Sequence, residues 1–367
     1  LSLWAKIKRR RIFQVVVAYA VLAWLLVQVI VNVEAPLNLP NWADTLVITL
    51  LAIGLPVALL LAWFFEPKLA HDHSLAGAEQ PESAASSPGA KSRPRRGEIR
   101  FCTTPGGHRL AYSRVGSGPA LVRTGNWLSH QELDWEVPMM SSLLRDLPRT
   151  FDLLTYDGRG TGLSDRGVSE FSLETMVEDL EVVADTNKLD KFAILALSQS
   201  CAVSIAYAVK HPHRVSHMVF YGGFTHNFRT QEEIDAMATL FSQNWGRANP
   251  GTRQIFTSAL FPDATKEEAD AFNEWQKHSS SPDTAARLFR AVHRIDVREQ
   301  AKRVSVPTLV MHSKDEAGVP LEYAREMAAL IPGARLVILS SRNHIVLERE
   351  PAYKQFLDET VSFIRAS

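Results

Sequence analysis

Cysteine is nearly absent: the 367 residues hold only Cys102 and Cys201. Two thiols cannot frame a disulfide-stapled fold or a cysteine-rich zinc site, so the chemistry looks cytosolic and a large core must hold the chain together. Excess charge is absent too. Forty Lys and Arg balance forty Asp and Glu, which removes any global electrostatic reason to expect nucleic acid as a partner. No internal repeat is visible. No His, Asp or Glu group has metal-ligand spacing, and His71-Asp72-His73 stands isolated. Tyr156-Asp157-Gly158-Arg159-Gly160 lacks the G-K-[ST] ending of a phosphate loop. It reads instead as a tight turn after a strand, with Asp157 and Arg159 hydrogen-bonding the loop. No metal and no cofactor is expected. The chain opens on Leu1, not Met, as an incomplete or non-standard start would.

Long apolar runs are present, but only in the first 65 residues. One extends from Ile12 to about Val33, after the basic cluster Lys6, Lys8, Arg9, Arg10 and Arg11; another extends from about Ala43 to Phe65. Each supplies the roughly 20 residues that a helix needs to cross a bilayer, and the first is too long for a signal-peptide core. The intervening segment, Glu34 to Trp42, has no Lys or Arg. The positive-inside rule then predicts both termini in the cytoplasm. Residues 1–66 are therefore predicted to be a two-helix membrane anchor with the lipid bilayer as partner. Residues 67–97, rich in Ala, Ser, Pro and Gly, are predicted to be a flexible linker. Its basic residues Lys91, Arg93, Arg95 and Arg96 form a solvated charge run or touch anionic headgroups.

From Glu98 onward, strands and helices alternate. Arg100–Thr103 and Arg109–Val115 read as a hairpin, followed by strands at Ala120–Thr124, Phe151–Tyr156, Phe192–Leu197 and Val215–Tyr221. Helices are predicted over Met139–Asp146 and from the N-cap Ser172 to about Asn187. The rhythm breaks between about 225 and 300, where amphipathic helical stretches carry Phe, Trp and Met and no strand is convincing. It resumes with strands at Thr308–His312 and Arg335–Leu339 and helices at Leu321–Ile331 and Pro351–Arg365. This alternation implies a mostly parallel sheet flanked by helices, with an inserted helical cap.

The stretch Phe192–Lys210 carries the chemistry. The apolar run F-A-I-L-A-L is followed at once by S-Q-S-C-A and then by helical spacing at Val203, Ala206, Tyr207 and Lys210. Ser198 stands on the turn, with small residues, Ala196 and Ser200, two positions to either side. A nucleophile elbow needs small neighbours there, because the serine backbone is strained. The window fits a plain serine N-cap as well, and Ser200 has small flanks of its own in Ser198 and Ala202. A serine nucleophile further requires a base, an orienting carboxylate and two oxyanion donors. His344, after the last strand, is the candidate base. Asp315 and Glu316, after the strand ending at His312, are the candidate acids. Cys201 reads as a packed thiol.

These motifs resemble the α/β-hydrolase superfamily over residues 98–367. The resemblance is carried by G-S-G-P-A-L-V at 116–122, Y-D-G-R-G-T-G-L-S at 156–164 and the elbow A-L-S-Q-S in place of G-x-S-x-G. H-P-H-R-V from His211, I-P-G-A-R-L-V from Ile331, N-H at His344 and E-R-E-P after it complete the set. In that family His-Pro stands about thirteen residues past the nucleophile, which implies Ser198 and not Ser200. The acid commonly stands three before Val-Pro; Val319-Pro320 implies Glu316, with Asp315 as the alternative. The family's His-Gly-aromatic aligns with Gly125-Asn126-Trp127, so the backbone N–H groups of Trp127 and Gln199 are the implied oxyanion donors. His130, three residues on, either lines the site or caps a turn. N-W-L-S-H and S-R-N-H are also similar to a bacterial subgroup joined to signalling proteins such as adenylate cyclases. The resemblance implies a serine hydrolase acting on an ester or related acyl bond; the cap's apolar faces and the anchor suggest a small or medium apolar acyl substrate, and the anchor's charge pattern predicts the cytoplasmic face of a bacterial-type inner membrane. The alternatives are a ligand-binding or signalling module with weak turnover, or cofactor-free C–C hydrolysis or perhydrolysis.

Overall fold

A fully apolar run such as Phe192–Leu197 can satisfy its backbone only inside a sheet covered on both faces. In the computed structural model all six of its residues are buried. The structure describes Thr49, Leu51 and residues 96–366. The chain divides into two units, Leu1–Ser87 and Pro88–Ser367, and the second holds residues 96–366. The anchor over 1–66 and nearly all of the linker over 67–97 lie outside the described residues. Among the described residues no helix is long and apolar enough to cross a membrane.

The strands are β1 (Arg100–Thr103), β2 (Arg109–Gly116), β3 (Ala120–Arg123), β4 (Asp152–Tyr156), β5 (Phe192–Leu197), β6 (Val215–Tyr221), β7 (Thr308–Ser313) and β8 (Arg335–Leu339). They form one sheet in the order β1-β2-β4-β3-β5-β6-β7-β8. β1 and β2 are antiparallel to their neighbours, and every other pair is parallel. The mostly parallel, helix-flanked sheet expected from the alternation is thus the architecture found.

Alternation along β5 divides the core. Ala193, Leu195 and Leu197 face one apolar layer with Val219, Tyr221, Leu309 and Met311. Phe192, Ile194 and Ala196 face the other with Phe220 and Val310. The first flanking helices are α1 (Pro138–Asp146) and α2 (Leu173–Thr186). As expected, Ser172 caps α2, here in a capping box with Thr175. Helix α3 (Ser200–Lys210) follows β5 directly.

Four helices fill the stretch that breaks the rhythm: α4 (Gln231–Asn244), α5 (Gly251–Leu260), α6 (Lys266–Ser279) and α7 (Pro282–Val292). Its two legs are joined at the base. Val297 N–H donates to Thr225 C=O at 2.8 Å, and an isolated bridge pairs His226 with Asp296. An insertion whose ends meet need not disturb the sheet it leaves and re-enters. A short helix α8 (Arg298–Ala301) leads back to β7; α9 (Leu321–Leu330) and α10 (Pro351–Arg365) complete the described fold.

Candidate active site

Ser198, Glu316 and His344 stand just past the carboxyl ends of β5, β7 and β8, and Trp127 stands past β3. Ligands of open parallel sheets bind at that edge.

Ser198 has φ +57°, a left-handed conformation that is uncommon for a residue with a Cβ. The strain is held by its surroundings. Ser198 N–H donates to Tyr221 C=O at 2.9 Å, and Cys201 N–H donates back to Ser198 C=O at 3.2 Å. Ser200 contributes as well: its Oγ donates to Leu197 C=O at 2.7 Å and accepts from Leu197 N–H at 2.9 Å. A serine where the elbow pattern usually has glycine therefore braces the turn from within. The same bonds commit the fully buried Ser200 hydroxyl to the backbone, whereas the half-buried Ser198 lines a cavity.

His344 lines that cavity too. Its Nδ1 meets Glu316 Oε1 in a short contact, and its N–H donates to Leu260 C=O at 2.7 Å. The Glu316 side chain is fully shut off from solvent, and its Oε1 also accepts from Val319 N–H at 2.9 Å. The extra methylene of glutamate is accommodated because the loop folds back through that bond. Asp315 is exposed. Behind the imidazole runs Gly222 at φ +62°, where a Cβ would come within 3.0 Å of His344 Cε1. The loop bearing the histidine is fixed by Ser313, whose Oγ donates to Asn343 C=O at 2.6 Å. Asn343 itself donates to Glu350 Oε1 at 2.8 Å.

The two amides implied as oxyanion donors differ. Gln199 N–H has no acceptor among the described residues and opens helix α3, whose N-terminal dipole favours negative charge there. Trp127 N–H is directed at its neighbour's Asn126 Oδ1 at 3.1 Å. The Trp127 ring, meanwhile, reaches into the cap and lies 5.1 Å from Phe256 and 5.8 Å from both Phe241 and Trp245.

Several residues near the site have structural partners. His130 is buried, and its Nδ1 accepts from Glu132 and Leu133 N–H at 3.3 and 3.4 Å, a turn-capping role. Asp157 Oδ2 accepts from Gln131 and Leu163 N–H at 3.1 and 2.9 Å, as the sequence suggests, but Arg159 does not bond the loop: its guanidinium pairs with Glu178 and Asp179 of α2. Cys201 is packed, its thiol pushed up by burial.

The sequence did not single out the rest of the cavity wall. About 450 Å³ of space, partly open to solvent, is bounded by Phe224, Phe228, Phe256, Phe289 and Val292, together with Arg229 and His293. Nor was His312 assigned a part. It is fully buried, donates from Nε2 to Val319 C=O at 2.9 Å, and holds that nitrogen 3.2 Å from Glu316 Oε2. Its place in M-H-S-K-D-E, four residues before the glutamate, was the available signal.

Comparison with known proteins identifies the family. The family model described as alpha/beta hydrolase fold matches residues 125–351. Relatives include a 2-hydroxy-6-oxo-2,4-heptadienoate hydrolase of Pseudomonas putida, 25% identical over 244 residues, covering 63% of this chain and 80% of the relative. A pimeloyl-[acyl-carrier protein] methyl ester esterase of Nitrosomonas europaea is 26% identical over 240 residues, covering 63% and 90%. Among solved structures, an esterase of Exiguobacterium antarcticum superposes with a TM-score of 0.63 at 22% identity, covering 72% of this chain and 98% of that one, a likeness of fold. The elbow, the sheet and the match over 125–351 together mean that this chain belongs to the alpha/beta hydrolase fold family and is an enzyme of the hydrolase class.

Proposed function

We propose that the protein is a serine hydrolase that cleaves an ester or related acyl bond with Ser198 as nucleophile. Ser198 Oγ attacks the acyl carbon and His344 Nε2 takes its proton. Glu316 holds the imidazole in the tautomer with hydrogen on Nδ1 and stabilises the imidazolium that forms. The oxyanion is met by Gln199 N–H, and by Trp127 N–H once Asn126 Oδ1 releases it. His344 returns its proton to the leaving alcohol, and water then cleaves the acyl-enzyme by the same route. No cofactor is needed. One observation carries the reading: a serine held at φ +57° shares a cavity with a histidine whose far nitrogen meets a buried carboxylate. The aromatic wall suits a small or medium apolar acyl group.

Labelling with a fluorophosphonate tests it. The wild type should label and hydrolyse a short nitrophenyl ester, Ser198→Ala should do neither, and Ser200→Ala should still label. Equal labelling of wild type and Ser198→Ala would remove Ser198 from the mechanism.

A second reading, a binding or signalling module with weak turnover, is favoured by the engaged Trp127 amide. Absence of hydrolysis across an ester panel, with ligand-induced stabilisation, would support it. The link to signalling proteins rests on N-W-L-S-H and S-R-N-H alone. Attachment to the cytoplasmic face of a bilayer is proposed from the apolar runs and basic flank of residues 1–66. Extraction of the full chain from membranes by alkaline carbonate would refute it.

A further inference from the structure

We propose that the substrate's acyl part carries a carboxylate and that Arg229 receives it. This rests on the serine-hydrolase reading and amends its substrate class, from a wholly apolar acyl group to an apolar acyl chain that ends in a carboxylate. Arg229 lines the same cavity as Ser198, Gln199 and His344, and among the described residues it is the one permanently charged side chain on that wall. Its guanidinium lies over the Phe228 ring at 5.0 Å. Its Nε is closed to solvent and has no hydrogen-bond partner, and the side chain has no ion pair among the described residues.

The fold gives this cation little in return. Arg229 immediately precedes Thr230, the N-cap of α4, which is the wrong end of a helix for a positive charge. Glu233 is the carboxylate that acts on it, but Glu233 Oε2 accepts from Thr230 N–H at 2.9 Å as the other half of the capping box. The backbone is nonetheless held firmly in place. Asn227 Oδ1 accepts from Arg229 N–H at 2.9 Å, and Asn227 Nδ2 donates to Arg229 C=O at 2.6 Å. A partly buried guanidinium, with its Nε shut off from solvent and no anion paired with it, costs stability unless something supplies the missing charge. A carboxylate fits its planar fork of donors, and apolar walls strengthen the pair. His293, on the same wall, is kept neutral by burial, with its pKa pushed down to about 4, and so adds no second cation.

Two esters of equal acyl length isolate the effect: 4-nitrophenyl pentanoate, and mono-4-nitrophenyl glutarate, which replaces the terminal methyl with a carboxylate. The ratio of their kcat/KM values, corrected for uncatalysed hydrolysis, should fall about 10- to 100-fold in Arg229→Met and less in Arg229→Lys. If Arg229 only stacks on Phe228, both esters suffer alike and the unmoved ratio overturns the proposal. A second readout needs no turnover. Monomethyl glutarate, titrated calorimetrically into Ser198→Ala, should bind at least 10-fold more tightly than into Ser198→Ala combined with Arg229→Met. Equal affinities, or no binding to either, overturn the Arg229 site. If the wild type turns over neither ester while the Ser198→Ala pair shows this difference in affinity, the hydrolase reading falls and the anion site stands.

Discussion

Glu316 and His344, 28 residues apart in sequence, meet through Oε1 and Nδ1 in the buried wall behind the cavity, while the neighbouring Asp315 side chain faces solvent. Glu316→Gln keeps the shape of the side chain but can present N–H to Nδ1 and favour the wrong tautomer. Its kcat should fall by about 10³- to 10⁴-fold, whereas Asp315→Ala should stay within about threefold, as an exposed substitution does. Steady-state kinetics on one nitrophenyl ester compares them, and the reverse order would transfer the role to Asp315.

His312 stands beside the other oxygen of the same carboxylate, and its pKa is lowered chiefly by burial. Replacing it with Phe leaves Val319 C=O unpartnered and Glu316 Oε2 without its polar neighbour. The expected results are a loss of about 1–3 kcal/mol in stability and a kcat about tenfold lower, as a loosened Glu316 would give. His312→Gln, which retains a donor, should recover part of both. Loss of stability alone, with kcat intact in the folded fraction, would make His312 purely structural.

Two buried groups act oppositely on stability as pH changes. The pKa of His293 is lowered to about 4 by burial. Its contribution is therefore full above about 6.5, the unfolded value, and is lost as pH falls toward 4. Asp157 is raised to about 6 by burial, with Asp134 nearby adding repulsion. Its contribution is full below about 3.8 and is lost as pH rises toward 6. Each spans on the order of 3 kcal/mol, so between pH 4 and 6 they largely offset. Asp157→Asn should expose the His293 slope. Its stability relative to wild type should rise by on the order of 3 kcal/mol from pH 4 to 6.5. Denaturant melts of both proteins at four pH values measure this, and a constant gap would refute it.

Trp127 joins the loop after β3 to the cap. Trp127→Ala should cost about 2–4 kcal/mol, near the lower end for a large core aromatic because the ring is only half-buried. Trp127→Phe should recover most of it, since several ring contacts remain. Asn126→Ala addresses the amide itself. Removing the side chain that engages Trp127 N–H frees the donor, and kcat should rise or stay within about threefold. A fall beyond a hundredfold would mean that the Asn126 side chain itself is needed for the reaction.

Local chemistry carried much of this structure in readable form. The boundaries of β5 followed from an apolar run of six residues ending in a polar turn, and the Ser172 cap from its place before an amphipathic stretch. Burial on both sheet faces forces such runs to be continuous, so they are legible one residue at a time. The elbow was legible as well, because strain at Ser198 restricts its neighbours at fixed spacing.

What the linear order could not supply was direction and pairing across distance. Its residues alone left two carboxylates competing after β7, and only the family resemblance favoured Glu316; which one turns inward depends on how the 316–319 loop folds back onto Glu316 through Val319 N–H. It offered two serines at the elbow, and a hydroxyl bound to Leu197 looks the same in sequence as one facing a cavity. Arg229, His293 and five apolar wall residues come from segments spread over the insertion and its flanks. Side chains that share a cavity wall without sharing a period leave no common mark on the chain, and only packing the cap over the strand ends brings them into one site.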